Sequence, residues 1–136
     1  MKSGVVLDTN IFISAVLYGG NPRRILDLAV SERIEVYISL VLLDELRRVL
    51  KEKFSLSSFE VSMVIDEIKD FAEIIEPKVK LKVIKGDPSD NRVLECALQA
   101  KVDYIVSGDK HLLNLRNFGG IKIVNPAKFL KQTKLA

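Results

Sequence analysis

The chain has 136 residues, 48% of them hydrophobic and 29% charged, with a formal net charge of +3. That balance excludes a disordered chain, and at this length it fits one domain whose core needs no staples. A lone cysteine excludes an internal disulfide and suits a reducing cytoplasm. The apolar stretch after Lys2 is interrupted by Asp8 and Asn10, so neither a signal peptide nor a membrane span is expected.

Gly4 to Asp8 is predicted as the first strand, because Val5, Val6 and Leu7 form the unbroken apolar run of a strand covered on both faces. A short helix follows through Ile11 to Tyr18 and is ended by Gly19-Gly20. Asn21-Pro22 reads as a second helix start, continued through Val30. Glu35 to Ser39 is the second strand, and Ser39 caps a helix running to about Lys53. Ser55 to Ser58 make a break, and Phe59 to Ile75 form a long amphipathic helix closed by Pro77. A third strand falls between Ala72 and Ile84. Gly86-Asp87-Pro88-Ser89-Asp90 is a turn into a helix reaching Lys101. Asp103 to Ser107 and Ile121 to Val124 are the fourth and fifth strands, and Pro126 to Lys131 is the last helix. Strands alternating with helices imply an α/β fold with a parallel sheet.

Asp8 emerges at a strand's carboxyl end, where open α/β sheets place ligands. Asp109 does the same after Tyr104-Ile105-Val106-Ser107-Gly108, with Gly108 giving the backbone room to turn. Helical phase selects two more acids. In the helix after Ser39 the apolar stripe is Leu42, Leu43, Leu46, Val49 and Leu50. At roughly 100° per residue, Asp44 points away from it, towards a pairing with Arg47 or Arg48, while Glu45 lies on its flank. In the helix after Asp90 the inward face is Val93, Leu94, Ala97 and Ala100. Continued one turn back, that face includes Asp90, and it leaves Glu95 pointing outward. Asp87 is less constrained. Asp8, Glu45, Asp90 and Asp109 would therefore crowd together and repel one another without a divalent cation, and oxygen donors suit Mg²⁺ or Mn²⁺. Each acid also has a plainer reading: helix cap for Asp8 and Asp90, an ion pair with Arg48 for Glu45, a turn for Asp109.

In order, Val6-Leu7-Asp8-Thr9-Asn10, Ser39 to Leu46, Asp87-Pro88-Ser89-Asp90-Asn91 with Leu94-Glu95-Cys96-Ala97, and Ser107-Gly108-Asp109-Lys110-His111-Leu112-Leu113 resemble the four motifs of the PIN-domain ribonucleases. The likeness spans essentially the whole chain and is nearest to small bacterial and archaeal members regarded as toxins of toxin–antitoxin pairs. It implies a three-layer α/β/α sandwich around a mostly parallel five-stranded sheet. It also implies a metal-dependent endoribonuclease that hydrolyses RNA phosphodiester bonds. Asp8, Glu45, Asp90 and Asp109 would be both catalytic and metal-binding, supported by Thr9, Asn10 and Ser107. Ser107 stands where many members have threonine. A small antitoxin and a second copy of the chain are the implied protein partners. Arg47, Arg48 and above all Lys110 are the candidates for holding RNA phosphates.

Other residues read more plainly. Cys96 is expected to pack in the core, and His111, the one histidine, to sit on the surface or cap a helix, with a proton-shuttling role as the alternative. Phe54, Phe59 and Phe71 are read as core or dimer contacts. Competing functions are an RNA-processing or RNA-binding module outside a toxin–antitoxin system with weak or no catalysis, a haloacid-dehalogenase-type phosphatase, and a dinucleotide-binding domain. The phosphatase would want an acid at position 10, which is Asn. The dinucleotide domain would want a glycine-rich first turn, which here is Asp8-Thr9-Asn10.

Overall fold

The computed structural model of the protein describes residues 2–85 and 87–135. Gly86, placed above in a turn, lies outside the described residues. The chain runs β1 (Ser3–Leu7), α1 (Thr9–Leu17), α2 (Gly20–Val30), β2 (Ile34–Ser39), α3 (Leu40–Glu52), α4 (Ser58–Phe71), β3 (Ala72–Ile75), α5 (Pro88–Ala100), β4 (Tyr104–Val106), α6 (Lys110–Leu113), β5 (Asn117–Phe118), β6 (Ile121–Val124) and α7 (Pro126–Thr133).

The sheet order is β3-β2-β1-β4-β6-β5, parallel throughout except for the β5–β6 edge. Helices cover both faces, giving the expected α/β/α sandwich. The sheet has six strands rather than five, because Asn117-Phe118 folds back on Ile121-Lys122. Two residues around Gly119-Gly120 are too short to show alternation, so this edge strand has no sequence signature. The central strands β1 and β4 are apolar because helices lie on both sides of them. Val5, Val6, Leu7, Ile105 and Val106 are all buried.

Strand order reverses between β1 and β4. From β1 the chain builds outward through β2 to β3, then returns past β1 to β4 and builds the other way. A parallel sheet wound in two directions leaves a crevice where the direction changes, at the carboxyl ends of the two diverging strands. A backbone bond closes the seam, Asp8 N–H donating to Val106 O at 2.9 Å, and beside it Ser107 N–H donates to Val124 O at 3.0 Å, tying the end of β4 to β6.

α4 stops at Phe71 rather than Ile75, and the third strand follows at once. Ala72–Ile75 pair in parallel with Val36–Ser39, so sheet hydrogen bonding overrides a helical pattern that no glycine or proline interrupts. α4 begins on a capping box in which Ser57 and Glu60 serve each other's backbone N–H. Ser39 caps α3 as expected, accepting from Leu42 N–H. Gly19 and Gly20 adopt positive φ (77° and 65°), which lets α1 end and α2 start without a linker.

α5 packs on β1, β2, β3 and β4 and is buried nearly all round. Glu95, expected to face outward, is 4% exposed, which corrects the helical-phase reading. The segment 76–85 lies over that face and takes its hydrogen bonds from it. Lys78 N–H donates to Gln99 Oε1 (3.1 Å), Leu81 N–H to Glu95 Oε2 (2.8 Å) and Ile84 N–H to Asn91 Oδ1 (2.9 Å). Asn91, Glu95 and Gln99 stand four residues apart, one above another on the helix. Arg92 pairs with Glu95 at 2.8 Å and donates to Leu81 O. No described helix is long and apolar enough to cross a membrane.

Glu95→Ala strands the largely buried Arg92 guanidinium and an amide N–H of the covering segment. Urea denaturation is expected to show a loss of about 2 kcal/mol or more, with Glu95→Gln intermediate because it keeps the acceptor. Equal stability of all three proteins would mean that the segment is held by something else.

Candidate functional site

Each carboxylate reaches the crevice for its own local reason. Asp8 follows β1 and occupies the N-cap position of α1, yet its side chain caps nothing there. It is 4% exposed and accepts a hydrogen bond from the wholly buried Ser107 Oγ at 2.8 Å. Ser107 in turn accepts from Asp109 N–H at 2.9 Å. One hydroxyl thus ties the end of β1 to the end of β4. Asp109 does cap: its Oδ1 accepts from His111 N–H at 2.7 Å and opens α6. Gly108 has no left-handed φ, and a Cβ there would meet nothing, so the turn into Asp109 does not require the glycine.

The cap of α5 is Asp87, which accepts from Ser89 N–H, and Asp90 is left on the first turn facing inward. Asp90 is 3% exposed, and its Oδ2 is buried with no hydrogen-bond partner among the described residues. Glu45 accepts a hydrogen bond from Ser89 Oγ, joining α3 to α5. It does not take the Arg48 pairing, since Arg48 stands 3.8 Å from Glu52. Asp44 is exposed and paired with Arg47 at 2.7 Å, as the helical phase required.

Asp8, Glu45, Asp90 and Asp109 line one cleft of about 390 Å³, together with Thr9, Asn10, Asp87 and Ser89. Arg48, Val49, Lys53 and Phe54 complete its lining. Arg47 and Lys110 are not in the lining. Phe54, read as a core or dimer contact, stands at the cleft, Phe71 is half-buried, and Phe59 is exposed. The tightest grouping is Asp90, Asp109 and His111, with one ligand atom from each lying within 4.8 Å of the others. His111 Nδ1 is 3.9 Å from Asp90 Oδ2 and 3.7 Å from Asp109 Oδ1. Two residues of this cleft escaped the sequence reading as neighbours of the acids, Ser89 and Lys53. Neither Ser89 nor Lys53 carried a signal of its own in helical phase or spacing. His111, expected on the surface or as a cap with proton shuttling as the alternative, is exposed and stands beside Asp90 and Asp109 without lining the cleft.

Burial and neighbouring charge disfavour the ionised forms of two of these carboxylates, Asp90 and Asp8. Burial is the largest influence on Asp90 and, with the charges of Asp109, Asp87 and Asp8, raises its pKa from 3.8 to about 7. Asp8 is also raised, by burial first and then by the charges of Asp109 and Glu45, with the Ser107 hydrogen bond opposing. Cys96 is inert packing, wholly buried, its thiol pushed up by burial to about 12.

Because the folded pKa of Asp90 lies above its unfolded value, folding takes up a proton between roughly pH 4 and 7. Stability from this group is fully present below that window and lost as pH rises through about 7. Asp90→Asn is therefore expected to stabilise the metal-free protein at pH 8 by about 2–4 kcal/mol and to flatten its Tm between pH 5 and 8. Thermal melts in chelator test this, and an unchanged pH profile would count against the buried charge.

A model of the PIN domain family matches residues 4–111. An uncharacterized protein of Methanocaldococcus jannaschii is 30% identical over 145 residues, covering 97% of this chain and 92% of that one. In fold, the chain is similar to one in the crystal structure of VapBC2 from Rickettsia felis bound to a DNA fragment from their promoter. That likeness has a TM-score of 0.65 at 17% identity and covers 90% of this chain and 98% of the other. With the family model spanning most of the chain and the sheet, crevice and acids arranged as described, this protein belongs to the PIN domain family.

Proposed function

We propose that this protein is a Mg²⁺- or Mn²⁺-dependent endoribonuclease whose site is Asp8, Glu45, Asp90 and Asp109, with Thr9, Asn10 and Ser107 in support. The observation that carries the reading is Asp90 Oδ2, buried, unpartnered and facing a second carboxylate within one acid-lined cleft. A buried anion in that setting is costly unless a cation meets it. The donors are carboxylate oxygens with one imidazole nitrogen, a set that fits a hard divalent ion.

When bound, such an ion would supply a Lewis acid to a phosphodiester and ease deprotonation of the attacking water. The chain's own residues have separable tasks. Ser107 orients Asp8, and Ser89 orients Glu45, so both carboxylates are placed before substrate arrives. His111 Nδ1 is within reach of Asp90 and Asp109 through a small side-chain movement and is suited to accept or return a proton there. Arg48 and Lys53 on the rim are positioned to offset the charge of a polyanion entering an acidic cleft.

The resemblance to small PIN toxins favours a toxin restrained by a small antitoxin in the cytoplasm. We also propose a homodimer. Phe59 and Met63, one turn apart on α4, are 72% and 59% exposed, a surface that a second copy would cover.

Mg²⁺ or Mn²⁺ is expected to raise the Tm, and Asp8→Asn to remove most of that response. Glu45→Gln should lower cleavage of cellular RNA on the order of 100-fold, whereas Asp44→Asn, a surface partner of Arg47, should leave it nearly unchanged. Equal losses in the two variants would reduce the effect to diffuse charge and remove Glu45 from the site.

A further inference from the structure

A second depression adjoins the acid cleft, and beyond the residues the two share it has no part in the chemistry above. It measures about 560 Å³ and shares Glu45, Arg48 and Ser89 with the cleft, so the two are continuous. Val41, Pro77, Val79 and Pro88 give it an apolar wall. Val41 and Val79 are 54% and 46% exposed, which leaves that wall uncovered. Its size is in the ordinary range for ligand sites and has room for one or two nucleotides.

One side of this groove is the segment that α5 holds down. Its sequence, Lys78-Val79-Lys80-Leu81-Lys82-Val83-Ile84-Lys85, carries four exposed lysines, of which Lys80 lines the groove and the others lie along the segment outside its lining. Lys78, Lys80 and Lys82 form no ion pair among the described residues. Their backbone is nevertheless anchored at three amides by Gln99, Glu95 and Asn91. A row of unpaired cations on a fixed backbone binds a polyanion with little further loss of freedom. Of the groove's carboxylates, Asp44 is paired with Arg47 and Glu95 with Arg92, while Glu45 belongs to the cleft. Only Glu76 remains, and it shares the lining with Lys80 and with Arg48, which stands 3.8 Å from Glu52.

We propose that single-stranded RNA runs from the acid cleft into this groove, with its bases against the Val41–Val79 wall and its phosphates on Lys80, Lys82 and Arg48. The proposal rests on the nuclease reading and adds where the flanking nucleotides lie. Unstacked bases suit an apolar wall, and alternating cations suit a backbone, which together favour a single strand over a duplex. An apolar peptide would use the wall but leave the lysines without a role.

The test uses a fluorescein-labelled ten-nucleotide single-stranded RNA and the Asp8→Asn chain in chelator, read by anisotropy. Lys80→Glu/Lys82→Glu is expected to weaken binding at least tenfold. It should also reduce the slope of log Kd against log salt by about 1.4, at ~0.7 per phosphate contact. Lys80→Gln/Lys82→Gln should give a smaller loss in the same direction, and Lys128→Glu/Lys131→Glu on α7 less than a twofold change. In the otherwise unaltered chain, Lys80→Glu/Lys82→Glu should raise KM for RNA with kcat kept within about twofold. RNA cleavage and binding that ignore the lysine changes would overturn the groove and leave the nuclease standing. A chain that neither binds nor cleaves RNA would overturn both, and equal affinity for a duplex of the same sequence would remove the base-contacting wall.

Discussion

Like charge gathered at one half-buried crevice is the constraint to which the rest of this structure answers. Asp8 and Asp90 are almost fully buried, and Asp109 and Glu45 lie close enough to press on Asp8. A fold built only for stability would place apolar residues at the ends of β1 and β4. Here the sheet's apolar interior tolerates the acids because the neighbouring backbone and hydroxyls hold them still. Ser107 spans the seam between the two strands, and Ser89 spans two helices. The rigidity of the surrounding layers is what keeps mutually repelling groups from drifting apart.

Much of this was legible in the residues, for a physical reason. A strand sealed on both faces leaves an unbroken apolar run, and an acid at its end is conspicuous against that run. Helical phase separated Glu45 from Asp44 because α3 has a single clean stripe. The same tool misjudged Glu95. Phase tells which side of a helix faces the sheet, but not whether a coil will lie over the other side. β3 was obscured because Ala72-Glu73-Ile74-Ile75 continues a helical pattern and becomes a strand only through its pairing with β2. His111 and Ser89 joined the acids through turns of one or two residues, below the length at which any periodicity exists.

The sheet order from β3 through β1 to β4 is also that of dinucleotide-binding domains, whose crevice lies at the same switch point. Topology therefore supplies a location and not a chemistry. What differs is the first turn. Asp8-Thr9-Asn10 aims a carboxylate at the crevice where a glycine-rich turn would present backbone N–H groups to an anion. One arrangement attracts cations and the other phosphates, from nearly the same backbone path.

The way α5 fastens the segment 76–85 has a consequence for how freely that surface can change. The three fastenings run from helix side chains to main-chain amides, and an amide is the same in nineteen of the twenty amino acids. Only proline at positions 78, 81 or 84 would undo one of them. The segment's outward side chains are thus decoupled from its attachment, and their charge and bulk can be rewritten one at a time without unmooring it. A surface that varies while its seat stays fixed lets a single scaffold be retuned without being refolded.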